Sequence, residues 1–235
     1  MGESTGKPWG GLLGRIGGTR RDPEGSGPQD RSEPTGPGTV YATKALRKFL
    51  ATLTSRPNPV LLDLGPVIGA NVSYFGEQLG CKIFVEDLYA DIDRHDREGK
   101  GGDLAAFFAK RFPQADGSVD GILCWDLLDF LEPPVAQALA AQLSRVLASE
   151  GALLGFFSTA SSRDATFVKY VVVDDQNLRH RPYGSVRTRS RVLQNRDIIR
   201  LFERLRVTDS FLLQTNIREI LFRKPAYLAS AGSAT

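Results

Sequence analysis

The sequence has few of the residues that build metal sites or disulfide frameworks. Among its 235 residues there are only two cysteines, Cys81 and Cys124, and two histidines. Both cysteines fall in predicted strands, and no Cys/His cluster has the spacing of a zinc site, so we expect neither a metal nor a disulfide. This sparing use of cysteine suits a reducing compartment, and we predict a cytoplasmic location.

Long hydrophobic runs are also lacking. No apolar stretch approaches the roughly 20 residues that a membrane-spanning helix needs, and the first residues lack the charged-then-apolar profile of a secretory signal. With 41% hydrophobic and 24% charged residues, the composition is that of a globular protein with one sizeable domain. No interaction with a membrane is expected.

Glycine and proline are abundant, and they concentrate at the N-terminus. Residues 1–38 hold eleven of the 24 glycines and five of the 13 prolines. Such a segment buries too little apolar surface to offset the entropy lost on ordering. We therefore predict a disordered tail over 1–38, one domain over 39–228 that contains an insertion at 160–194, and a disordered C-terminus over 229–235.

The most informative segment follows this tail. Val60-Leu61-Leu62 is an apolar run that leads into Asp63 and then into Gly65 and Gly69. This pattern is typical of a buried parallel strand followed by a turn whose backbone N–H groups face a ligand. A second apolar run ends in Glu86-Asp87 roughly 20 residues later, where an acid would meet the hydroxyls of a ribose. The two segments together predict a cofactor that contains adenosine.

The glycine positions separate two cofactor classes. A dinucleotide fingerprint requires G-x-G-x-x-G, but Val67 replaces its second glycine and Gly69 comes one residue early. A pyrophosphate site is therefore disfavoured. The stretch from Asp63 to Gly69 instead resembles motif I of class I S-adenosylmethionine-dependent methyltransferases, acid-x-Gly-x-Gly-x-Gly, without its middle glycine.

A second segment strengthens this resemblance. Residues 112–131 are similar to the fourth-strand region of the family, which has a Pro-x-x-acid-Gly-Ser-Phe-Asp turn, an apolar strand and a Leu-Glu-His-Leu-like end. In this sequence Val119 replaces Phe, Asp129 replaces Glu and Phe130 replaces His. A helical stretch and the glycine-led apolar run 151–157 come next. The chain thus resembles type 11-like, small-molecule methyltransferases over about residues 41–225.

The resemblance implies an α/β fold with a Rossmann-like, seven-stranded methyltransferase sheet that is mostly parallel and has an antiparallel C-terminal strand pair. Only 33 positions separate Asp87 from Asp120, so the third strand is expected to be curtailed. The implied cofactor is S-adenosyl-L-methionine, and the residues implied in its binding are Asp63, Gly65, Pro66, Gly69, Asn71, Glu86, Asp87, Asp103, Cys124 and Trp125.

Three of these assignments have alternatives. Asp87 aligns best with the ribose-binding acid, but Glu86 competes with it because the register of the strand is not fixed by sequence. Asp103 could bind the adenine amine or serve as the N-cap of the helix that follows it. Trp125 could equally be a core residue.

The methyl acceptor is expected beside the insertion. Residues from 176 onward carry twelve basic and four acidic side chains, a balance of +8 in a chain of net charge +3. His180 and Tyr183, among the arginines, are weak candidates for proton transfer. Three functions fit: methyl transfer to a small acceptor, which this charge would suit if it is anionic; methylation of RNA or protein, for which no motif is present; and partner binding without catalysis.

Overall fold

The computed structural model describes residues 38–160, 167–183 and 192–226. The predicted disorder of the two termini lies outside these residues. The described strands are β1 (Thr39–Ala42), β2 (Val60–Asp63), β3 (Lys82–Val85), β4 (Val119–Trp125), β5 (Leu147–Ser158), β6 (Val168–Val172), β7 (Asn177–Pro182), β8 (Arg206–Leu212) and β9 (Ile217–Arg223). The α-helices are α1 (Leu46–Thr54), α2 (Gly69–Val72), α3 (Leu88–Arg97), α4 (Leu104–Phe108), α5 (Pro133–Val146) and α6 (Asn195–Leu201).

The main sheet has the strand order β3-β2-β4-β5-β9-β8. Strands β3, β2, β4 and β5 are parallel, whereas β9 runs antiparallel to both β5 and β8. This arrangement confirms the Rossmann-like, mostly parallel sheet with an antiparallel C-terminal pair. The sheet has six strands because residues 86–118, all of which are described, form helices and turns. The third strand, which was expected to be curtailed, is absent there.

The parallel strands are apolar on both faces because helices cover both sides of the sheet. Leu62 and Ile122 point into one buried cluster, whereas their chain neighbours Leu61 and Leu123 point into the other. This alternation between two cores explains why β2 and β4 read as continuous apolar runs. Their position in the centre of the sheet fixes the loops that follow them.

Strands β6 and β7, within the predicted insertion, belong to a second, three-stranded sheet with the order β1-β7-β6. The apolar stretch 167–173 of the sequence predicts an extra strand, which β6 confirms. The sequence also predicts a helix from about Tyr41 to Leu53, and here β1 corrects the prediction, since α1 begins only at Leu46. Thr39, Val40 and Tyr41 have the β-branched and aromatic side chains that favour strands, and β1 pairs along β7.

Glu219 of β9 fixes the start of α1. Its side chain is 1% exposed, and Oε2 accepts hydrogen bonds from the backbone N–H groups of Lys44 and Ala45, each at 2.8 Å. A buried carboxylate at this position satisfies two backbone donors. Its negative charge also interacts favourably with the positive, N-terminal end of the helix dipole. Glu219 therefore joins the first helix to the main sheet.

Replacement of Glu219 should show the size of this contribution. In Glu219→Ala two buried N–H groups lose a charged acceptor, and we expect the free energy of unfolding to fall by on the order of 3 kcal/mol. Urea denaturation followed by circular dichroism measures this change. Glu203→Ala, at an exposed position, is the control and should shift the free energy by less than about 0.5 kcal/mol; equal stabilities of the two variants would contradict the assigned role.

Candidate functional site

The candidate site lies where the strand order of the main sheet reverses. From β2 the chain proceeds outward to β3 and later returns to β4 on the other side, so a crevice opens between the carboxyl ends of β2 and β4. Open α/β sheets bind ligands at such a switch point. Three residues named from the sequence lie at these strand ends: Asp63 ends β2, Trp125 ends β4, and Asp87 follows β3.

Asp63 is buried at the base of this crevice. Its Oδ1 atom accepts hydrogen bonds from the backbone N–H of Gly65 at 3.0 Å and from the indole Nε1 of Trp125 at 2.7 Å. Burial raises the pKa of the carboxyl to about 6; the two hydrogen bonds oppose this shift, and the charge of Asp87 adds to it. Such a shifted carboxyl in a crevice is typical of functional sites.

Trp125 has a left-handed backbone, with φ of +50°. A bulky residue rarely adopts this conformation, and such strain tends to occur at functional sites. The conformation directs the indole over the β2 loop, where a Cβ atom on Gly65 would lie 3.0 Å from the ring. On its other side the indole stacks on Tyr170 of β6, with ring centroids 5.1 Å apart. Gly65 is thus required here by the close approach of the indole.

The side chain of Asn71 contacts the second sheet. Its side chain is buried; Nδ2 donates to the carbonyl of Tyr170 at 2.9 Å, and Oδ1 accepts from the N–H of Val172 at 2.8 Å. The amide therefore binds the free edge of β6 as a neighbouring strand would. Asn71 fixes the second sheet against the start of α2.

Asp87 and Glu86 have separate environments. Asp87 is the N-cap of α3, and its Oδ1 accepts from the N–H of Ala90 at 3.0 Å. Burial raises its pKa and the charge of Lys169 opposes the shift. Glu86 instead forms an ion pair with Arg111 at 2.6 Å. Because Asp87 interacts electrostatically with Asp63 and Glu86 is already paired, the structure favours Asp87 as the acid of the crevice.

The other residues named for cofactor binding are arranged as follows. Pro66 is buried and Gly69 is exposed, with open space around the position of a Cβ atom on Gly69. Cys124 is fully buried, and burial raises the pKa of its thiol. Asp103 is exposed and occupies the N-cap position of α4, but its side chain makes no capping hydrogen bond.

The two candidates for proton transfer lie in or beside β7. His180 packs against Tyr170 and Tyr41, and burial lowers its pKa to about 4. Tyr183 lies near Tyr89 and Phe167, with ring centroids 6.0 and 6.1 Å away. Tyr170 contacts both rings, stacked on Trp125 and edge-on to His180.

Sequence reasoning missed the contacts between distant segments. The hydroxyl of Tyr89 donates to Asp126 Oδ1 at 2.7 Å, and both residues are buried beside the crevice. Tyr170 and Lys169 were read only as part of a strand. Tyr89 and Tyr170 carry no local signal of a site because their partners are 37 and 45 positions away. Asp126 alone, directly after an apolar strand, could have been recognised as a residue at the sheet edge.

The described residues contain no group of three His, Cys, Asp or Glu side chains that could bind a metal ion. No helix in this part of the chain combines the length and the apolar character that a membrane span demands.

Comparison with known proteins finds solved structures that resemble this chain at low sequence identity. No protein-family model matches the chain, and no curated protein matches it. Similar solved structures include the 1,6-didemethyltoxoflavin-N1-methyltransferase of Burkholderia thailandensis, 17% identical over 77% of this chain and 78% of that one, with a TM-score of 0.44. A SAM dependent methyltransferase from Aquifex aeolicus is 16% identical over 76% of this chain and 88% of its own, with a TM-score of 0.42. We therefore assign the fold class from the strand order of this chain itself.

The raised pKa of Asp63 predicts a measurable dependence of stability on pH. Because the folded chain holds this proton more tightly than the unfolded chain, the ionised carboxylate destabilises the fold increasingly from about pH 4 to about pH 6. Asp63→Asn retains an oxygen that can accept both hydrogen bonds. At neutral pH we expect it to be more stable than the wild type by on the order of 2 kcal/mol.

Urea denaturation of both proteins across this pH range tests the effect. The stability difference should vanish below about pH 4, where Asp63 is protonated in both states. Asp116→Asn is the matched control, since that side chain is 79% exposed. A stability difference for Asp63→Asn that does not change with pH would show that Asp63 has an ordinary pKa.

Proposed function

We propose that this protein is an S-adenosylmethionine-dependent methyltransferase that acts on a small anionic acceptor. The observation that carries the proposal is the pair of carboxyl groups of Asp63 and Asp87 at the switch point of the sheet. Asp63 is buried and Asp87 is half-buried, and the charge of Asp87 acts on Asp63, at the strand ends where this fold class binds nucleotides. The fold and the low-identity structural matches are consistent with it.

The crevice fits the polar groups of this cofactor. Within the described residues, both hydrogen bonds of Asp63 go to Oδ1, which leaves Oδ2 to accept from the ammonium group of a methionine moiety. The capping bond of Asp87 likewise engages Oδ1, so its Oδ2 can accept from ribose hydroxyls. The exposed backbone at Gly69 has room for a ligand beside it.

When bound, S-adenosylmethionine supplies an electrophilic methyl group on a sulfonium centre. The task of the protein is then to hold this methyl group in line with an O, N or C nucleophile of the acceptor and to exclude water. Trp125 and Tyr170 form an apolar, stacked wall beside the β2 loop, which suits the second requirement. Asp63 would hold the ammonium group of the cofactor and Asp87 its ribose hydroxyls. These two contacts would orient the methyl group.

Proton removal is a secondary requirement because the sulfonium is a good leaving group. His180 is neutral at physiological pH, since its pKa is about 4, and is therefore a weak base. The Tyr89 hydroxyl donates a hydrogen bond to Asp126 in a buried pair. We assign no catalytic base among these groups. The proposed mechanism depends on holding the methyl group in line with the acceptor nucleophile.

A second candidate function is partner binding by a methyltransferase fold without catalysis. It is favoured by the internal bonds of the crevice: the Trp125 indole covers Gly65 and hydrogen-bonds Asp63, and the Asn71 amide is occupied by β6. In this function the same contacts would simply be part of the core. Binding of the cofactor distinguishes the two functions.

Isothermal titration calorimetry with S-adenosylmethionine and S-adenosylhomocysteine, with NAD as the control ligand, tests the proposal. We expect the first two to bind in the micromolar range and NAD not to bind. Asp63→Asn and Asp87→Asn should each weaken binding by at least about tenfold, because an amide replaces a charged acceptor. Asn at position 87 retains the helix cap.

The matched control for these variants is Asp116→Asn, which lies three residues before the start of β4 and so at the opposite end of the strand from the crevice, and which should bind as the wild type does. Circular dichroism confirms that all variants are folded. Absence of heat with S-adenosylmethionine and S-adenosylhomocysteine would refute the enzymatic proposal and favour the partner-binding function. Unchanged affinity in both site variants would refute the residue assignment alone.

A further inference from the structure

Two cations face each other in the second sheet. Lys169 of β6 and Arg181 of β7 are direct partners in the antiparallel register, so their side chains leave the same face of the strand pair. Lys169 is 7% exposed. Like charges at directly opposed positions destabilise a sheet, and burial of an ammonium group adds to that cost. A purely structural strand pair has no need of this arrangement.

Neither cation has a counter-ion within the described residues. No carboxylate there comes within 4.0 Å of either side chain, and the buried Nε of Arg181 donates no hydrogen bond there. The ammonium of Lys169 lies 5.4 Å from the centroid of the Tyr183 ring. Arg179, two positions before Arg181 on β7, leaves the same face. Strands β1, β6 and β7 themselves contain no acidic residue.

Asp87, at the edge of the crevice, is an acid on which the charge of Lys169 acts. This charge lowers the pKa of Asp87, although burial has the larger and opposite effect. One oxygen of Asp87 already caps α3. An oxyanion bound between Lys169 and Arg181 would neutralise these opposed cations and satisfy the buried Nε donor of Arg181.

We propose that Lys169 and Arg181 form a binding site for an oxyanion, a carboxylate or phosphate group carried by the methyl acceptor. Arginine supplies planar, directed N–H donors and lysine a compact charge, which together suit oxygen atoms of either group. The electrostatic link from Lys169 to Asp87 places the site beside the proposed cofactor. The oxyanion site follows from the cation pair alone, whereas its assignment to the acceptor rests on the proposed function.

Inorganic phosphate and benzoate are the probes for this site. Titrated by calorimetry into the full chain at constant ionic strength, at least one should bind saturably. Lys169→Met should weaken that binding by at least about tenfold. Lys110→Met, at an exposed lysine, is the control and should bind the probe as the wild type does. Equal affinities of wild type and Lys169→Met, or no saturable binding of either probe, would overturn the site.

Thermal unfolding separates a binding role from a structural one. In buffer free of oxyanions, Lys169→Met should unfold at a higher temperature than the wild type, because it removes a buried charge that forms no ion pair within the described residues. Added phosphate should raise the unfolding temperature of the wild type and leave that of the variant unchanged. A lower unfolding temperature of Lys169→Met in anion-free buffer would show that Lys169 is a structural cation and would overturn the proposal.

Ligand competition tests the assignment to the acceptor. Phosphate or benzoate should bind equally well in the presence of saturating S-adenosylhomocysteine. Loss of anion binding under that condition would assign the pair to the carboxylate of the cofactor instead. Tighter binding of an RNA oligonucleotide that also depends on Lys169 would replace the small acceptor by RNA. If S-adenosylhomocysteine does not bind at all, the acceptor assignment fails with the proposed function, but anion binding that depends on Lys169 would still establish the site.

Discussion

The hydrogen bond between the Trp125 indole and the Asp63 carboxylate is the contact on which the arrangement of the crevice depends. It requires the left-handed backbone at Trp125 and a glycine at position 65, since a Cβ atom there would crowd the indole. The same indole stacks on Tyr170, so one side chain connects β2, β4 and the second sheet. Asn71 adds a second connection to β6. Aromatic and amide groups thus fix the second sheet against the crevice.

Buried charge is concentrated around this contact. Burial raises the pKa values of Asp63 and Asp87, and Lys169 is buried nearby without an ion-pair partner in the described part of the chain. Each of these groups costs stability in the absence of a ligand. Unfavourable groups collected at a strand switch point are typical of a site adapted to binding rather than to stability. A cofactor with an ammonium group and ribose hydroxyls, together with an anionic acceptor, would complement them.

The sequence predicted the parallel part of the fold because its signals are local. Apolar runs predicted β2, β3, β4 and β5. The short interval between β3 and β4 indicated that the third strand of the family would be curtailed. Pairing between distant segments has no such signal: the sequence predicted a helix from about Tyr41, yet Thr39–Ala42 pairs with β7, about 140 positions away. The role of Asn71 and the orientation of Trp125 were likewise unpredictable, since both depend on where β6 packs. Asp103 was placed correctly at a helix start but makes no capping bond.

The central claim is that the crevice beside Trp125 binds S-adenosylmethionine. The chain has two tryptophans, so in a Trp9→Phe variant all indole emission comes from Trp125, which is 3% exposed. Titration of this variant with S-adenosylhomocysteine, followed by fluorescence, reports on the indole that touches Gly65 and Asp63. The account predicts a saturable change in emission that Asp63→Asn shifts to higher ligand concentration. Emission that stays constant up to about millimolar ligand would contradict it.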